Sequence, residues 1–162
     1  GIANNGKMIT PLMVKEIRKN GKTIEEFEST VVKGSMCSDA TLKGIRECLH
    51  DVVWNDTLGT ASVNPWGTRK AQSDLVAIAG KTGTAQILEK GYSNRRHRMS
   101  FVGYFPEENP QYSCICVIHG PQWPYDAGMD CGSVVRHIAE KTMAYAGEYV
   151  IEDGELVMVV KE

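Results

Sequence analysis

The sequence lacks the features that would point to a membrane span, a nucleic-acid surface or a zinc-binding cysteine framework. No hydrophobic run approaches the roughly 20 residues that cross a bilayer as a helix. The formal net charge is -2, which argues against a broad nucleic-acid-binding face. The five cysteines are an odd number and lack the double Cys-x-x-Cys spacing of a zinc site. The 162 residues, 42% of them hydrophobic, are typical of one globular domain.

One stretch changes from apolar to polar in a way that indicates a site. Residues 75–79, Leu-Val-Ala-Ile-Ala, predict a strand that is buried on both faces and bounded at Gly80. Residues 81–86, Lys-Thr-Gly-Thr-Ala-Gln, follow it. A phosphate-binding loop needs a glycine five positions before Gly80, but Leu75 stands there. The P-loop interpretation is therefore excluded. The remaining interpretation is that the string forms a polar strand that lines a cleft.

The patterns on either side of this stretch predict an α+β fold. Asn20-Gly21 between residues 8–18 and 22–27 predicts a hairpin, with cross-strand charge pairs on a solvated ribbon. Ser38 or Asp39 can cap an amphipathic helix that we expect to lie on a sheet. A long polar loop, residues 55–70, leads into the apolar run.

The second half of the chain predicts two more strands, a helix and a hairpin. Residues 99–105 and 112–119 are strands with short links, which favours antiparallel pairing. Apolar residues at helical spacing from Cys131 to Tyr145 indicate a second helix. The tail around Asp153-Gly154 predicts one more hairpin. We therefore expect an antiparallel sheet flanked by helices.

Four motifs in this order resemble the C-terminal part of the transpeptidase domain of class B penicillin-binding proteins. They are Ile-Ala-Asn-Asn-Gly at residues 2–6, Gly-Thr-Ala at 59–61, the string at 80–86, and Ser-Phe-Val-Gly-Tyr-Phe-Pro at 100–106. The last string is more similar to the septal, division-type enzymes than to the elongation-type ones. The resemblance implies part of the fold shared with β-lactamases. We assign residues 1–146 to this domain and 147–162 to a C-terminal extension.

The resemblance also implies roles for the residues of the polar strand. Lys81 would add positive charge beside a serine nucleophile, and the Thr82 and Thr84 hydroxyls would hold a substrate carboxylate. The Thr84 backbone N–H would donate to the oxyanion, so Lys81 and Thr84 are the predicted catalytic residues. Gly83 would let a substrate backbone approach, which makes Thr82, Gly83 and Thr84 the substrate-binding set. No metal and no cofactor are implied.

The sequence departs from the family in lacking a Ser-x-x-Lys motif. Ser62-Val63-Asn64 fits the family's Ser-x-Asn motif, but in the family that motif lies upstream of the helix that we expect to end near Gly1, so we interpret the match as coincidence. The chain begins at Gly1 without methionine, and we expect a piece of a longer protein. The nucleophile, its base and the true Ser-x-Asn would then precede residue 1, and this piece alone would be inactive.

For the intact protein, the resemblance implies a serine-type peptidoglycan D,D-transpeptidase that cross-links stem peptides ending in D-Ala-D-Ala. Expected partners are that stem peptide, β-lactam antibiotics and divisome or cell-wall synthesis proteins, with no nucleic acid. An anchor outside this chain would hold the protein in the bacterial cytoplasmic membrane, with its catalytic domain facing the periplasm. The alternative is a non-catalytic module with a transpeptidase-like fold that senses peptide or β-lactam, or serves as a division scaffold.

Three further groups have simple structural interpretations. Residues 95–98, Arg-Arg-His-Arg, predict a solvated loop, with a role at the cleft mouth as the less favoured alternative. Cys114 and Cys116 would share one face of a strand and His119 the other, so one metal ion could not bind all three. The tryptophans are expected to be packing anchors, with two of them in loops that can shape the cleft rim. These are Trp54, Trp66 and Trp123.

Overall fold

The computed structural model describes residues 1–87, 96–121, 124–146, 149–152 and 155–158. They form two compact units, Gly1–Arg46 and Glu47–Glu162, and the boundary lies inside helix α1, Asp39–Trp54. Every paired strand is antiparallel. In the described part of the chain, neither helix combines the length and the apolar composition that a bilayer crossing requires.

The first unit contains the predicted hairpin. Strands β2 (Glu16–Lys19) and β3 (Lys22–Glu26) pair around Asn20 and Gly21, whose φ angles are 51° and 78°. Positive φ at both central residues is what a two-residue turn of this kind requires, so the prediction is confirmed. The long strand predicted at residues 8–18 is wrong, however. Its first part is a separate strand, β1 (Met8–Ile9), which pairs with β4 (Val31–Lys33).

The predicted cross-strand charge pairs of the hairpin are also wrong. The register places Glu16 opposite Glu26 and Lys19 opposite Lys22, so like charges face each other. The ion pair that does form joins Arg18 to Glu16 within one strand. The two-residue turn itself places Lys19 opposite Lys22, and a register shift between Ile17 and Arg18, which was not predicted, places Glu16 opposite Glu26.

Helix α1 begins where its capping signal predicts. The Ser38 Oγ accepts a hydrogen bond from the Thr41 backbone N–H at 3.2 Å, which satisfies one of the free N–H groups of the first turn. In the second unit the last turn of the helix enters the core through the fully buried Val53. The Trp54 Nε1 donates to the Ile78 carbonyl at 3.0 Å, so Trp54 is the anchor that was predicted.

A three-stranded antiparallel sheet in the order β5-β6-β7 forms the centre of the second unit. Its strands are β5 (Ala79–Ile87), β6 (Arg96–Phe105) and β7 (Tyr112–His119). The range of β7 and the antiparallel pairing agree with the sequence prediction. Strand β6 begins three residues earlier than predicted, so Arg96, His97 and Arg98 lie in a strand and not in a loop, while Arg95 lies outside the described residues.

The start of β5 corrects a second prediction. Residues 75–78 are irregular, and the strand runs from Ala79 through the whole polar string. Val76 and Ile78 are buried by packing alone, which apolar composition cannot distinguish from burial in a sheet. Gly80, predicted to bound the strand, is instead its second residue, and a Cβ at this position would stand 2.5 Å from the Val102 carbonyl oxygen.

Helix α2 (Ser133–Tyr145) and the π-helical turn before it, Gly128–Gly132, share the core with one face of this sheet. The predicted helix is confirmed, but helical structure begins before the expected Cys131. Buried side chains from both layers meet here: Met99, Phe101, Cys131, Val135, Ala139 and Met143. The opposite face of the sheet leaves Val102, Ile115 and Val117 exposed.

Two further predictions concern the tail and the tryptophans. Strands β8 (Tyr149–Glu152) and β9 (Glu155–Met158) pair antiparallel, as the predicted hairpin requires, and the expected turn residues Asp153 and Gly154 lie outside the described residues. Trp66 was predicted to be a packing anchor, but this is wrong: it is 85% exposed, in a turn whose backbone N–H groups bond to the Asn64 side chain. Trp123 also lies outside the described residues.

Candidate active site

Strand β5 presents its polar string at an edge of the three-stranded sheet. Side chains alternate between the two faces of a strand, so Thr82 and Thr84 lie on one face, whereas Lys81 and Gly83 lie on the other. Lys81 and Thr84 are exposed, and Thr82 is half-buried. The predicted site residues are therefore accessible and not part of the core.

A cleft of about 310 Å³ opens beside the two threonines. The residues that line it come from β5, from the loop before β5 and from the segment that enters the π-helical turn. They are Thr60, Lys70, Thr82, Thr84, Tyr125, Asp126, Ala127 and Gly128. Of the predicted site residues, the structure brings Thr82 and Thr84 together in this cleft, while Lys81 and Gly83 are not in its lining.

The Thr82 hydroxyl has a partner in the loop before the strand. Its oxygen lies 2.8 Å from the Thr60 hydroxyl oxygen, and either group can be the donor. Thr60 belongs to the Gly-Thr-Ala motif, for which no role was predicted from the sequence. The cleft thus presents three threonine hydroxyl groups from two segments, which suits a ligand that accepts several hydrogen bonds, such as a carboxylate.

The opposite face of β5 holds Lys81 and Gly83. The Lys81 Nζ donates to the Thr82 carbonyl oxygen at 2.7 Å, so the ammonium lies along the exposed edge of its own strand. A Cβ on Gly83 would stand 2.6 Å from the Ser100 Oγ of the neighbouring strand. A side chain at position 83 would therefore force the Ser100 hydroxyl to move.

Two residues of the cleft lining, Lys70 and Asp126, form an ion pair. The Lys70 Nζ lies 2.7 Å from the Asp126 Oδ2 and donates to the Thr60 carbonyl oxygen at 3.2 Å. Burial raises the pKa of Asp126, but hydrogen bonds from Lys70 and from the Met129 and Gly128 backbone amides outweigh burial and lower it. Asp126 is therefore a carboxylate near neutral pH. The sequence did not predict this pair, since no local pattern joins residues so far apart.

Other candidate groups do not form a site. Cys114 and Cys116 are half-buried while His119 is exposed, as strand alternation requires. Across the described ranges, no three His, Cys, Asp or Glu side chains are grouped to hold a metal ion. The fully buried Ser62 donates to the Gly59 carbonyl, and the Asn64 side chain accepts backbone N–H groups of its own turn. These two residues thus have structural roles, which agrees with a coincidental Ser-x-Asn match.

Comparison with known proteins identifies the family of this fold and site. The family described as penicillin binding protein transpeptidase domain matches residues 1–144. The chain belongs to this family. The match includes the polar string on β5 and the Gly-Thr-Ala loop that meets it, and it confirms the resemblance to class B penicillin-binding proteins.

Two curated relatives of the transpeptidase domain illustrate the similarity. A peptidoglycan D,D-transpeptidase FtsI homolog of Chlorokybus atmophyticus is 35% identical over 106 residues, which are 64% of this chain and 14% of the relative. Stage V sporulation protein D of Bacillus subtilis is 31% identical over 142 residues, 86% of this chain and 20% of the relative. The chain therefore spans only a minor part of these relatives.

Solved penicillin-binding proteins have the same fold. Penicillin binding protein 2X from Streptococcus thermophilus superposes with a TM-score of 0.74 at 22% identity, over 90% of this chain and 22% of that one. The predicted class, an antiparallel sheet flanked by helices in a partial transpeptidase fold, is thus confirmed.

Proposed function

We propose that this chain is the C-terminal part of a serine-type peptidoglycan D,D-transpeptidase, which cross-links stem peptides and is acylated by β-lactams. The observation that carries the proposal is the Lys-Thr-Gly-Thr string on the edge strand β5, with Thr82 and Thr84 in an open cleft, inside a domain of the transpeptidase family. The relatives are named as D,D-transpeptidases, which favours an enzyme over the sensing or scaffold module. We propose 1–146 as the domain portion and 147–162 as an extension.

The proposed reaction has two steps. A serine Oγ attacks the carbonyl of the penultimate D-alanine and forms an ester, while the bond to the terminal D-alanine breaks and the serine proton passes to its amine. The amine of a second stem peptide then attacks the ester, forms the cross-link and returns the proton to the serine. The sequence contains no Ser-x-x-Lys, and the chain spans only 14% to 24% of its FtsI relatives. We therefore propose that the nucleophile and its base lie in a part of the protein that this chain does not contain.

Each residue of the string has a proposed part in these steps. The Thr82 and Thr84 hydroxyls donate to the terminal carboxylate of the substrate, because both line the same cleft. The Lys81 ammonium at the strand edge supplies positive charge next to the serine. The Thr84 backbone N–H donates to the oxyanion, which typically stabilises the transition state by about 3 kcal/mol or more. Gly83 leaves the edge free of a Cβ.

The setting of the intact protein is also a proposal. An anchor outside this chain would hold it in the bacterial cytoplasmic membrane with the catalytic domain in the periplasm, where the stem peptide and β-lactams are found. Relatives named as an FtsI homolog and as a sporulation protein support a role with the divisome or other cell-wall synthesis proteins.

Covalent labelling with a fluorescent penicillin tests the proposal. The intact protein should take up one label per molecule, and an excess of unlabelled penicillin should prevent it. The isolated 162-residue chain should take up no label, because it lacks the Ser-x-x-Lys motif that carries the proposed nucleophile. No label on the intact protein, or a covalent label on the isolated chain, would overturn the proposed mechanism.

A further inference from the structure

The ion pair between Lys70 and Asp126 connects two segments that line the cleft, the loop before β5 and the segment that enters the π-helical turn. One ammonium group contacts both the Asp126 Oδ2, at 2.7 Å, and the Thr60 carbonyl oxygen, at 3.2 Å. The Lys70 side chain is 11% exposed and the Asp126 side chain is 46% exposed, so water reaches the carboxylate more than the ammonium. The contact therefore joins the backbone of Thr60 to the carboxylate of Asp126.

The Asp126 carboxylate is itself held in one orientation. Its Oδ1 accepts hydrogen bonds from the Gly128 N–H at 2.8 Å and from the Met129 N–H at 3.1 Å, at the start of the π-helical turn. The Asp126 N–H donates to the Asp130 Oδ2 at 2.9 Å. Both carboxylate oxygens of Asp126 thus have partners within the protein. Asp126 therefore stabilises the segment that enters the π-helical turn, and its oxygens are already engaged in contacts within the protein.

The backbones of the two segments approach each other closely at Gly128. A Cβ on Gly128 would stand 2.2 Å from the Thr60 carbonyl oxygen and 3.0 Å from the Ala61 Cα. Next to this contact, the Ala71 N–H donates to the Ala61 carbonyl at 2.9 Å, which ties the two ends of the loop together. Thr60 is thus positioned by the Lys70 ion pair, by a glycine contact and by its own loop.

We propose that Lys70 and Asp126 are positioning residues that hold Thr60, and through its hydroxyl fix the Thr82 hydroxyl for carboxylate binding. The chain of contacts runs from the ion pair to the Thr60 carbonyl, and from the Thr60 hydroxyl to the Thr82 hydroxyl at 2.8 Å. This inference rests on the proposed function, in which Thr82 binds the carboxylate. An incorrectly oriented donor weakens acylation even though no reacting group is lost.

Acylation of the intact protein by two matched ligands tests this inference. One ligand is a penicillin with its free carboxylate, and the other is the same penicillin as its carboxamide. Lys70→Met should lower the second-order acylation rate constant of the carboxylate ligand by about tenfold, and that of the carboxamide by less than about twofold. Lys70→Arg should restore most of the loss, and Lys141→Met, at an exposed lysine of α2, should change neither rate constant.

A second variant keeps the test decisive if Lys70→Met fails to fold. Asp126→Asn retains the shape and the Oδ1 acceptor but removes the charge that holds Lys70, and it should give the same selective loss. Equal losses for both ligands, or no loss for either, would overturn the positioning role but would leave the proposed function standing. If the wild-type protein is acylated by neither ligand, the proposed function fails and the inference fails with it, so the two failures are distinguishable.

Discussion

The hydroxyl oxygens of Thr60 and Thr82 lie 2.8 Å apart across 22 positions of sequence. This contact joins a loop residue to the second residue of the Lys-Thr-Gly-Thr string. It therefore links two of the four motifs that resemble the transpeptidase family, and both line the same cleft.

Removal of the Thr60 hydroxyl should affect ligand acylation more than folding. In the intact protein, we expect Thr60→Val to lower the acylation rate constant for penicillin by about fivefold to twentyfold, since one donor or acceptor beside Thr82 is lost. Thr60→Ser should keep most of the activity. Stopped-flow acylation and a thermal unfolding curve measure the two effects, with Thr57→Val as an exposed control. A fall in Tm with no kinetic effect would contradict the assignment.

Two glycines of β5 should differ in their tolerance of a methyl group. The Cβ of Gly80→Ala would stand 2.5 Å from the Val102 carbonyl oxygen, which is backbone, whereas the Cβ of Gly83→Ala would meet the Ser100 Oγ, a rotatable side-chain atom. We expect Gly80→Ala to lower the free energy of unfolding by about 1 to 3 kcal/mol. Gly83→Ala should lower it by less.

Urea unfolding of both variants checks this order. The double variant Gly83→Ala with Ser100→Ala should recover stability relative to Gly83→Ala, because the atom at 2.6 Å is removed. No recovery would show that a different contact limits position 83.

Cysteine alkylation should distinguish the buried thiols from the exposed ones. Burial of its thiol, with the Cys116 thiol adding to the effect, raises the pKa of Cys131 to about 11. At pH 8 its thiolate fraction is therefore about one in a thousand, and the group is also inaccessible. In native protein, iodoacetamide should modify the exposed Cys48 within minutes and Cys131 only after denaturation or at strongly alkaline pH.

Peptide mass spectrometry over a time course measures these rates. Equal rates for Cys48 and Cys131 in native protein would contradict the packing of the π-helical turn against β7.

The parts of the fold that local chemistry determines were predictable from the sequence. The Asn20-Gly21 turn, the Ser38 cap and the short links between the strands each act within a few residues, and all three predictions are confirmed. The position of the site residues on an accessible strand followed from the polar string itself. Their catalytic and binding roles stay predictions.

The parts that depend on distant partners were not predictable. The apolar run before Gly80 is buried without joining the sheet, because core packing and strand pairing bury the same kind of residue. The Lys70 and Asp126 pair is brought together only by the folding of a long loop onto the π-helical turn. Trp66 lies at the surface although it is hydrophobic, since it belongs to a turn that is held by hydrogen bonds to the Asn64 side chain.

The acylation rate of Lys81→Ala in the intact protein tests the central claim most directly. The Lys81 side chain is exposed and contacts its own strand, so its removal should leave the thermal unfolding curve nearly unchanged. Because we propose that Lys81 supplies positive charge beside the serine, its removal should lower the second-order rate constant for penicillin by about 100-fold or more. Lys141→Ala serves as the matched control on α2. A Lys81→Ala protein that folds and is acylated at the wild-type rate would contradict the assignment of β5 to the active site.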